Sequence, residues 1–312
     1  MSPRVTVAIP NWNGARLLRE CLNSLRTQTF RDFQTVVIDN GSRDDSLRLL
    51  AEDYPEVRVI RWPENRGVAA AFNEGVRQCS GELLALLNND MEVEPGWLEA
   101  LVEALAADDR AGAAASKILF LDRRTIYSAG DFYRRDGVPG NRGVHQPDEG
   151  QFDEPAAIFG ASGGASLFRR RLFEEIGLFD EALVSYLEDV DWNFRMQLAG
   201  YHAIYIPAAV AYHWGSATGG GKLASYYCGR NFIRVLVKNY PPRLLRRYWP
   251  AIVWQELRLA ADAVRHGREP AARARLAGQA RGLREIPQAL RQRHSTMRLR
   301  RVSDDYIDSL LV

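Results

Sequence analysis

The first 120 residues alternate short apolar runs with helical patterns, and this alternation constrains the fold more than any other feature of the chain. Residues 4–10 (RVTVAIP), 33–39, 57–61 and 83–88 read as strands, the second built on Thr35, Val36, Val37 and Ile38. Residues 15–26, 46–53, 68–79 and 95–106 read as helices between them. The first of these carries Leu17, Leu18, Cys21, Leu22 and Leu25 on one face, and Pro95 stands at a natural helix start. Strand and helix in strict succession predict βαβ units and a mostly parallel sheet, because parallel neighbours need a crossover segment between them. From 120 to 159 the pattern dissolves into Gly, Asp, Arg and Pro, and an irregular stretch that long in a compact domain marks a functional region. Order returns with a glycine-rich strand at 159–168, helices at 170–176 and 188–199, and a strand at 203–212.

Charge divides the chain more sharply than hydropathy does. Residues 241–312 hold 15 Arg, no Lys and 7 acids, a net of +8, which leaves a net of −6 for residues 1–240. Pro241-Pro242 marks the boundary, so we expect an α/β domain over 1–240 and a basic helical extension over 241–312, with Pro250, Pro270 and Pro287 as helix start or stop marks. Three separated cysteines form no C-x-x-C pair, the N-terminus lacks a signal-peptide core, and no run approaches 18 apolar residues. These features predict a cytoplasmic protein without a disulfide framework.

In an open parallel sheet, ligands bind beyond the carboxyl ends of the strands. Here those ends read Pro10-Asn11-Trp12-Asn13-Gly14, then Asp39-Asn40-Gly41-Ser42, then Glu64-Asn65-Arg66-Gly67, then Asn88-Asn89-Asp90. One strand-end Asn or Asp is usually a helix cap. Four in succession on one edge exceed that need and suit a nucleotide. A carboxylate such as Asp39 accepts the N–H of a pyrimidine edge, and Trp12 offers a stacking face. Asp90 beside a diphosphate calls for a divalent cation between them, and hard oxygen ligands suit Mg²⁺ or Mn²⁺.

The runs VAIPNWNG, VVIDNGSRDDS, ENRGVAAAFNEGV and LLALLNND, followed by GLFDEALVSYLEDVDWNFRMQLAGY and AYHWGSAT with YYCGRNFIRVLVKNYP, resemble family 2 glycosyltransferases of the GT-A fold, and among them the rhamnosyltransferase-like enzymes of bacterial cell-surface polysaccharide assembly. The match spans about residues 4–240 in the family's order. The resemblance implies a mixed, mostly parallel α/β sheet flanked by helices, and inverting transfer of a sugar from a nucleotide-diphosphate donor, best read as dTDP-rhamnose, to a saccharide or polyprenyl-diphosphate-linked acceptor. A UDP-hexose or UDP-N-acetylhexosamine donor is the alternative within the family. It implies that Pro10, Asn11, Trp12, Asn13, Asp39, Asn40, Ser42, Asn65, Gly67, Asn73, Asn88, Asn89 and Asp90 bind the nucleotide sugar, with Asp39 on the base. Asp90 would be the last acid of the family's D-x-D element, and Asn88 stands where the first acid often sits. His213 matches a histidine that completes the metal site in many relatives, so Asp90 and His213 are the expected ligands of Mg²⁺ or Mn²⁺. Asp189 would be the general base, Glu188 would orient the acceptor, and Gly163, Gly164, Asp191, Trp192 and Arg195 would line the acceptor side.

Several features stay open at this level. Three acids within residues 188–191 exceed what a helix start needs for its dipole. Gly160, Gly163 and Gly164 fit a bulge as well as the close approach of an acceptor; Trp192 fits the core as well as the cleft. Arg230 and Asn231 are placed where either could reach a phosphate. The run at 218–222 fails as a phosphate loop and reads as a mobile flap over the donor. The tail helix at 244–265 fits packing on the domain or contact with anionic lipid at the inner face of the plasma membrane. A dehydrogenase or epimerase is excluded, because Pro10-Asn11-Trp12-Asn13-Gly14 replaces the G-x-G-x-x-G turn. A nucleic-acid-binding protein, suggested by the arginines, finds no binding module in the acidic body.

Overall fold

In the computed structural model, which describes residues 3–215 and 221–312, the first half alternates as the periodicity predicts. The elements are β1 (Val5–Asn11), α1 (Ala15–Arg26), β2 (Phe33–Asp39), α2 (Ser46–Asp53), β3 (Arg58–Arg61), α3 (Val68–Gln78), β4 (Leu83–Leu87), β5 (Met91–Val93) and α4 (Trp97–Ala107). There follow β6 (Ala111–Phe120), β7 (Ile126–Ser128), β8 (Asp131–Tyr133), β9 (Pro139–Asn141), β10 (Ala156–Ile158), β11 (Ala165–Arg169), α5 (Arg170–Glu175), α6 (Glu188–Leu198) and β12 (His202–His213). Four helices end the chain: α7 (Lys222–Asn239), α8 (Pro242–Arg265), α9 (Pro270–Arg298) and α10 (Asp304–Leu310). The expected donor flap at 218–222 falls mostly on residues 216–220, outside the described residues.

The main sheet runs β10-β12-β6-β11-β4-β1-β2-β3, with β5 on β12 and β7 on β6. β1, β2, β3 and β4 are mutually parallel, while β11 runs antiparallel between β4 and β6. The chain builds outward from β1 to β3 and then crosses back to place β4 on the other side of β1. That reversal opens a crevice at the carboxyl ends of β1 and β4, where Asn11 meets Asn88, Asn89 and Asp90.

Alternation along the strands divides the core. Val5, Val7 and Ile9 face α1, α2 and α4 around buried Trp97, whereas Ala8, Leu84 and Leu86 face α3, α5 and α6 around Phe72 and Trp192. A third cluster joins Tyr133, Phe159, Phe194 and Leu198 to Tyr240, Leu244, Ile252, Ile307 and Leu311, so the tail helices are packed onto the α/β body. Helices α7 and α9 cross closely because glycines line the contact. A Cβ on Gly278 would come within 2.1 Å of the Tyr226 carbonyl oxygen, and one on Gly229 within 2.6 Å of that of Arg275.

Two expectations need correction. The strand expected at 159–168 begins only at Ala165, so Gly163 and Gly164 form the turn that enters β11. Pro270 opens α9 as a start mark, but Pro250 and Pro287 lie inside α8 and α9. Both prolines are on the exposed side, where water can take the carbonyl that each leaves unbonded. The central strand β6, AGAAASKILF, escapes periodicity altogether, since alanine carries little strand preference and both faces are buried. Among the described residues no helix is long and apolar enough to cross a membrane.

Candidate active site

Asparagines floor the crevice and are locked to one another. Asn89 donates to Asn11 Oδ1 (2.8 Å), and Asn11 in turn donates to Asp39 Oδ1 (3.3 Å) and Ser42 Oγ (3.2 Å). Asp39 is fully buried and also accepts the Ser42 N–H at 3.2 Å. Asn40 spans to the next strand end, donating to the Gly67 carbonyl (3.1 Å) and accepting from Arg66 N–H (2.7 Å). Gly67 has φ +89°, and a Cβ there would lie 2.5 Å from the Val184 carbonyl oxygen, so only glycine lets this edge meet the 184–187 segment. The result is a cavity of about 400 Å³ lined by Pro10, Asn11, Trp12, Asn40, Asn65 and Asp90, among others.

A second cavity, of about 480 Å³, shares Val68, Asn88, Asp90 and Ser185 with the first and is lined on its far wall by Glu188 and Asp189. Asp189 is fixed through both oxygens, Oδ2 accepting from Gly163 N–H (2.9 Å) and Oδ1 from its neighbour Val190 N–H (2.8 Å). Burial raises its carboxyl despite these donors. The backbone entering α6 is strained: Val184, Tyr186 and Leu187 all have positive φ, at 65°, 67° and 69°. Non-glycine residues in that region cost on the order of 1–3 kcal/mol each and persist only where neighbours over-determine them. Asn231 of α7 supplies the restraint, its side-chain amide donating to the carbonyls of Leu183 (3.0 Å), Ser185 (3.0 Å) and Tyr186 (2.7 Å).

The family model described as glycosyl transferase family 2 matches residues 6–177. The chain belongs to this family. An N-acetylglucosaminyl-diphospho-decaprenol L-rhamnosyltransferase of Mycobacterium tuberculosis is 30% identical over 65% of this chain and 73% of its own length. The O-antigen biosynthesis protein RfbC of Myxococcus xanthus is 30% identical over 70% of this chain, and an uncharacterized protein y4gI of Sinorhizobium fredii 32% identical over 70%. The chain spans only 18% of the former and 25% of the latter. These likenesses set this family 2 glycosyltransferase beside the rhamnosyltransferase-like members. Among solved structures, the mannosyltransferase PcManGT from Pyrobaculum calidifontis with GDP-Man and Mn²⁺ superposes with TM-score 0.58 at 20% identity, over 96% of this chain and 86% of its own. GalNAc-T7 with UDP, GalNAc and Mn²⁺ gives TM-score 0.61 at 19% identity, over 77% and 48%. The fold is therefore GT-A.

Most of the expected site residues line the joined cavities of this glycosyltransferase, but several do not. Asn73 is spent on structure, donating to the Phe179 carbonyl (3.0 Å) and Glu181 (2.8 Å) and accepting from Phe179 N–H (2.9 Å). Asp39, Asn13 and Ser42 stand behind the wall and hold it together. Asp191, Trp192 and Arg195 are not on the acceptor side. Asp191 is two residues beyond Asp189, about 200° around the helix. It is fully buried against Arg195 (3.1 Å), Lys238 (3.0 Å) and Asn239 (2.7 Å). Burial alone would raise this carboxyl, but the Lys238 and Arg195 charges hold it down at about 2. Trp192 and Arg195 lie one and two turns deeper, Trp192 packed on Phe168 and Phe173 and Arg195 donating to the Ile176, Gly177 and Leu178 carbonyls. Arg230 likewise reaches no phosphate position, since it pairs with Glu285 (2.8 Å).

The cavity also contains residues that the sequence did not reveal. Tyr127, Asp131 and Asn141 come from the irregular 120–159 stretch and line the second cavity. Burial, and then the charge of Asp189, raise the Asp131 carboxyl well above its ordinary value. Their strands are three residues long, too short for a period to register.

Asp90 and His213 meet because β5 folds back from Asp90 and pairs with β12, placing Asp90 Oδ2 3.4 Å from His213 Nε2. Asp90 Oδ1 and His213 Nδ1 are buried without a hydrogen-bond partner. A hard divalent cation fits such a pair, with diphosphate and water completing its shell. Among the described residues no group of three or more His, Cys, Asp or Glu could hold a metal, so this chain alone offers only a partial shell.

Glu188 is fully enclosed, and burial followed by the Asp189 charge pushes its carboxyl from 4.5 up to about 8. Near neutrality it is therefore a protonated donor beside Asp189. Between about pH 4.5 and 8 the folded chain keeps a proton that the unfolded chain has lost, so this group's contribution to stability falls as pH rises through that window. Glu188→Gln removes the dependence. Its melting temperature relative to wild type should climb by a few degrees from pH 5 to pH 8, measured by thermal denaturation. A constant difference would contradict the assignment.

Proposed function

We propose that this chain is an inverting, divalent-cation-dependent glycosyltransferase that moves rhamnose from dTDP-rhamnose to a hydroxyl of a lipid-diphosphate-linked saccharide in bacterial cell-surface polysaccharide synthesis. One observation carries the reading: Asp90, His213, Asp189 and Glu188 line one continuous cavity. The donor and acceptor are supported by the named rhamnosyltransferase relative, and the cation by the unpartnered Asp90 and His213 atoms together with the Mn²⁺ of both structural neighbours.

The asparagine floor and Trp12 bind the nucleotide, with Asp39 acting through Asn11 and Ser42 to fix the wall that the base meets. Asp189 takes the proton of the acceptor hydroxyl while the hydroxyl oxygen bonds to the anomeric carbon from the side opposite the diphosphate. The anomeric C–O bond breaks, its electron pair leaves on the nucleoside diphosphate, and configuration inverts. Neutral Glu188 donates a hydrogen bond that orients the acceptor. A cation held by Asp90 and His213 would supply positive charge to the departing diphosphate.

The exposed face of α8 supports membrane contact, with Trp249, Val253, Trp254 and Leu257 at 58%, 46%, 70% and 59% exposure among exposed Arg246, Arg258 and Arg265. Tryptophan with arginine suits the headgroup boundary of an anionic bilayer. We infer attachment to the cytoplasmic face of the plasma membrane.

Asp189→Asn should cut turnover by about 10²–10⁴-fold with donor affinity unchanged, measured across a panel of nucleotide sugars. A fully active variant would overturn the base, and a wild type that prefers a UDP-sugar would overturn the rhamnosyl donor. Asp90→Ala should weaken nucleotide binding in Mn²⁺ and abolish its sensitivity to chelator, read by calorimetry; unchanged Mn²⁺-dependent binding would rule out the cation site. Replacing Trp249 and Trp254 together by Glu should reduce co-sedimentation with phosphatidylglycerol vesicles several-fold, and equal sedimentation would discard the attachment.

A further inference from the structure

Burying a guanidinium without acceptors is costly, so deeply placed arginines are normally matched. In this chain Arg195 meets Asp191 and three carbonyls, and Arg234 meets Asp180 and Gln292. Among the described residues, Arg275 of α9 departs from this. Its Nε and Nη2 are buried with no hydrogen-bond partner, its guanidinium lies 4.9 Å from the centre of the Phe232 ring, and burial lowers its basicity against the opposing charge of Glu256. The glycine-lined crossing of α7 and α9 forces it there, because the Arg275 backbone sits directly against Gly229.

Arg275 lines a third cavity, of about 570 Å³, between the start of α7, the end of α8 and the start of α9. This cavity adjoins the acceptor cavity through Ala224 and Cys228, which line both, and Cys228 lies close enough to sense the charges of Glu188 and Arg275 alike. It shares no lining residue with the donor cavity, which α7 meets through Leu223 and Tyr227 instead. The acids near it are largely engaged: Glu256 accepts from Gln279 (2.7 Å), Asp262 stands 3.5 Å from His266, and Glu269 is exposed at the rim. On α8, Leu259 and Ala263 line the cavity from one face of the helix, while the exposed Leu257 and Val264 lie on the other. A guanidinium with two buried, unbonded donor nitrogens thus adjoins a sugar-sized chamber lined by Asp189.

We propose that the Arg275 cavity is the subsite for the diphosphate of the lipid-linked acceptor, whose sugar occupies the chamber beside Asp189. This rests on the lipid-diphosphate acceptor proposed above. The planar guanidinium fork matches phosphate oxygens in two-point contact, and charge-assisted bonds of this kind are the stronger class.

The probe is farnesyl diphosphate, titrated calorimetrically into the full-length protein with chelator present, so that no cation can bridge it to Asp90. Farnesol and the same protein with Arg275→Met complete the comparison, with Arg284→Met as an exposed-arginine control. Farnesyl diphosphate should bind wild type and Arg284→Met alike and Arg275→Met about tenfold or more weakly, in line with loss of one charge-assisted contact. Arg275→Met should melt no lower than wild type, since it removes two buried donors that lack acceptors. Equal affinity for farnesol and its diphosphate, retained affinity in Arg275→Met, or a marked loss of its stability would each overturn the subsite. Turnover separates the two ideas. If lipid-diphosphate acceptors are glycosylated and Arg275→Met keeps their KM, the subsite falls and the acceptor reading stands. If farnesyl diphosphate binds through Arg275 but no such acceptor is glycosylated, the acceptor reading falls and the diphosphate subsite stands.

Discussion

The buried charge cluster around Asp191 is the constraint on which the site depends. Helix α6 carries its acids at its first turn, and α7 carries Asn231, which restrains the strained loop just before them. What holds α6 and α7 in a fixed relation is Asp191, gripped by Lys238 and Asn239 of α7 and by Arg195 of its own helix. Lys238 also takes Asp180 at 3.0 Å, so the segment between α5 and α6 is tied to the same point. A buried ion cluster of this kind adds little net stability over a well-packed apolar alternative, but removing one member is costly, typically about 3–5 kcal/mol. Its value is positional: it fixes the orientation of Asp189 without contacting it.

The active centre thus divides into a rigid floor and a restrained wall. The floor is a set of side-chain amides held by one another, by Asp39 and by the backbone at Arg66 and Gly67, so Asn11, Asn40 and Asn89 are already oriented before a nucleotide arrives. The wall stores backbone strain at Val184, Tyr186 and Leu187, and donors from α7 pin it. The two are coupled through Gly67 and Val68, which pack against Val184 and Ser185. Preorganisation of this sort reduces the ordering cost of binding and reaction.

Much of this was legible in the sequence where information is local. The four parallel strands, their helices and the polar residues at their ends follow from period and punctuation alone, because each βαβ unit writes its own pattern. The resemblance supplied the order of motifs. Legibility failed where side chains answer to distant partners. Asp191, Trp192 and Arg195 neighbour Asp189 in sequence, but rotation about the helix and depth along it separate them from the cleft. Strand β6 is written in alanine because Leu172 and Met196 press against it, with Gly112 leaving no space for a Cβ. Tyr127 and Asp131 sit on three-residue strands, and the unmatched guanidinium of Arg275 exists only through the packing of α7 on α9.

One helix addresses three chambers. Leu223 and Tyr227 of α7 face the first, Ala224 and Cys228 the second, and Ser225 with Cys228 the third. Each residue turns the helix by about 100°, so inserting one amino acid within its first two turns would hand each chamber the side chain meant for its neighbour. The helix therefore behaves as a reading frame in which phase, rather than composition, decides which side chain each chamber meets.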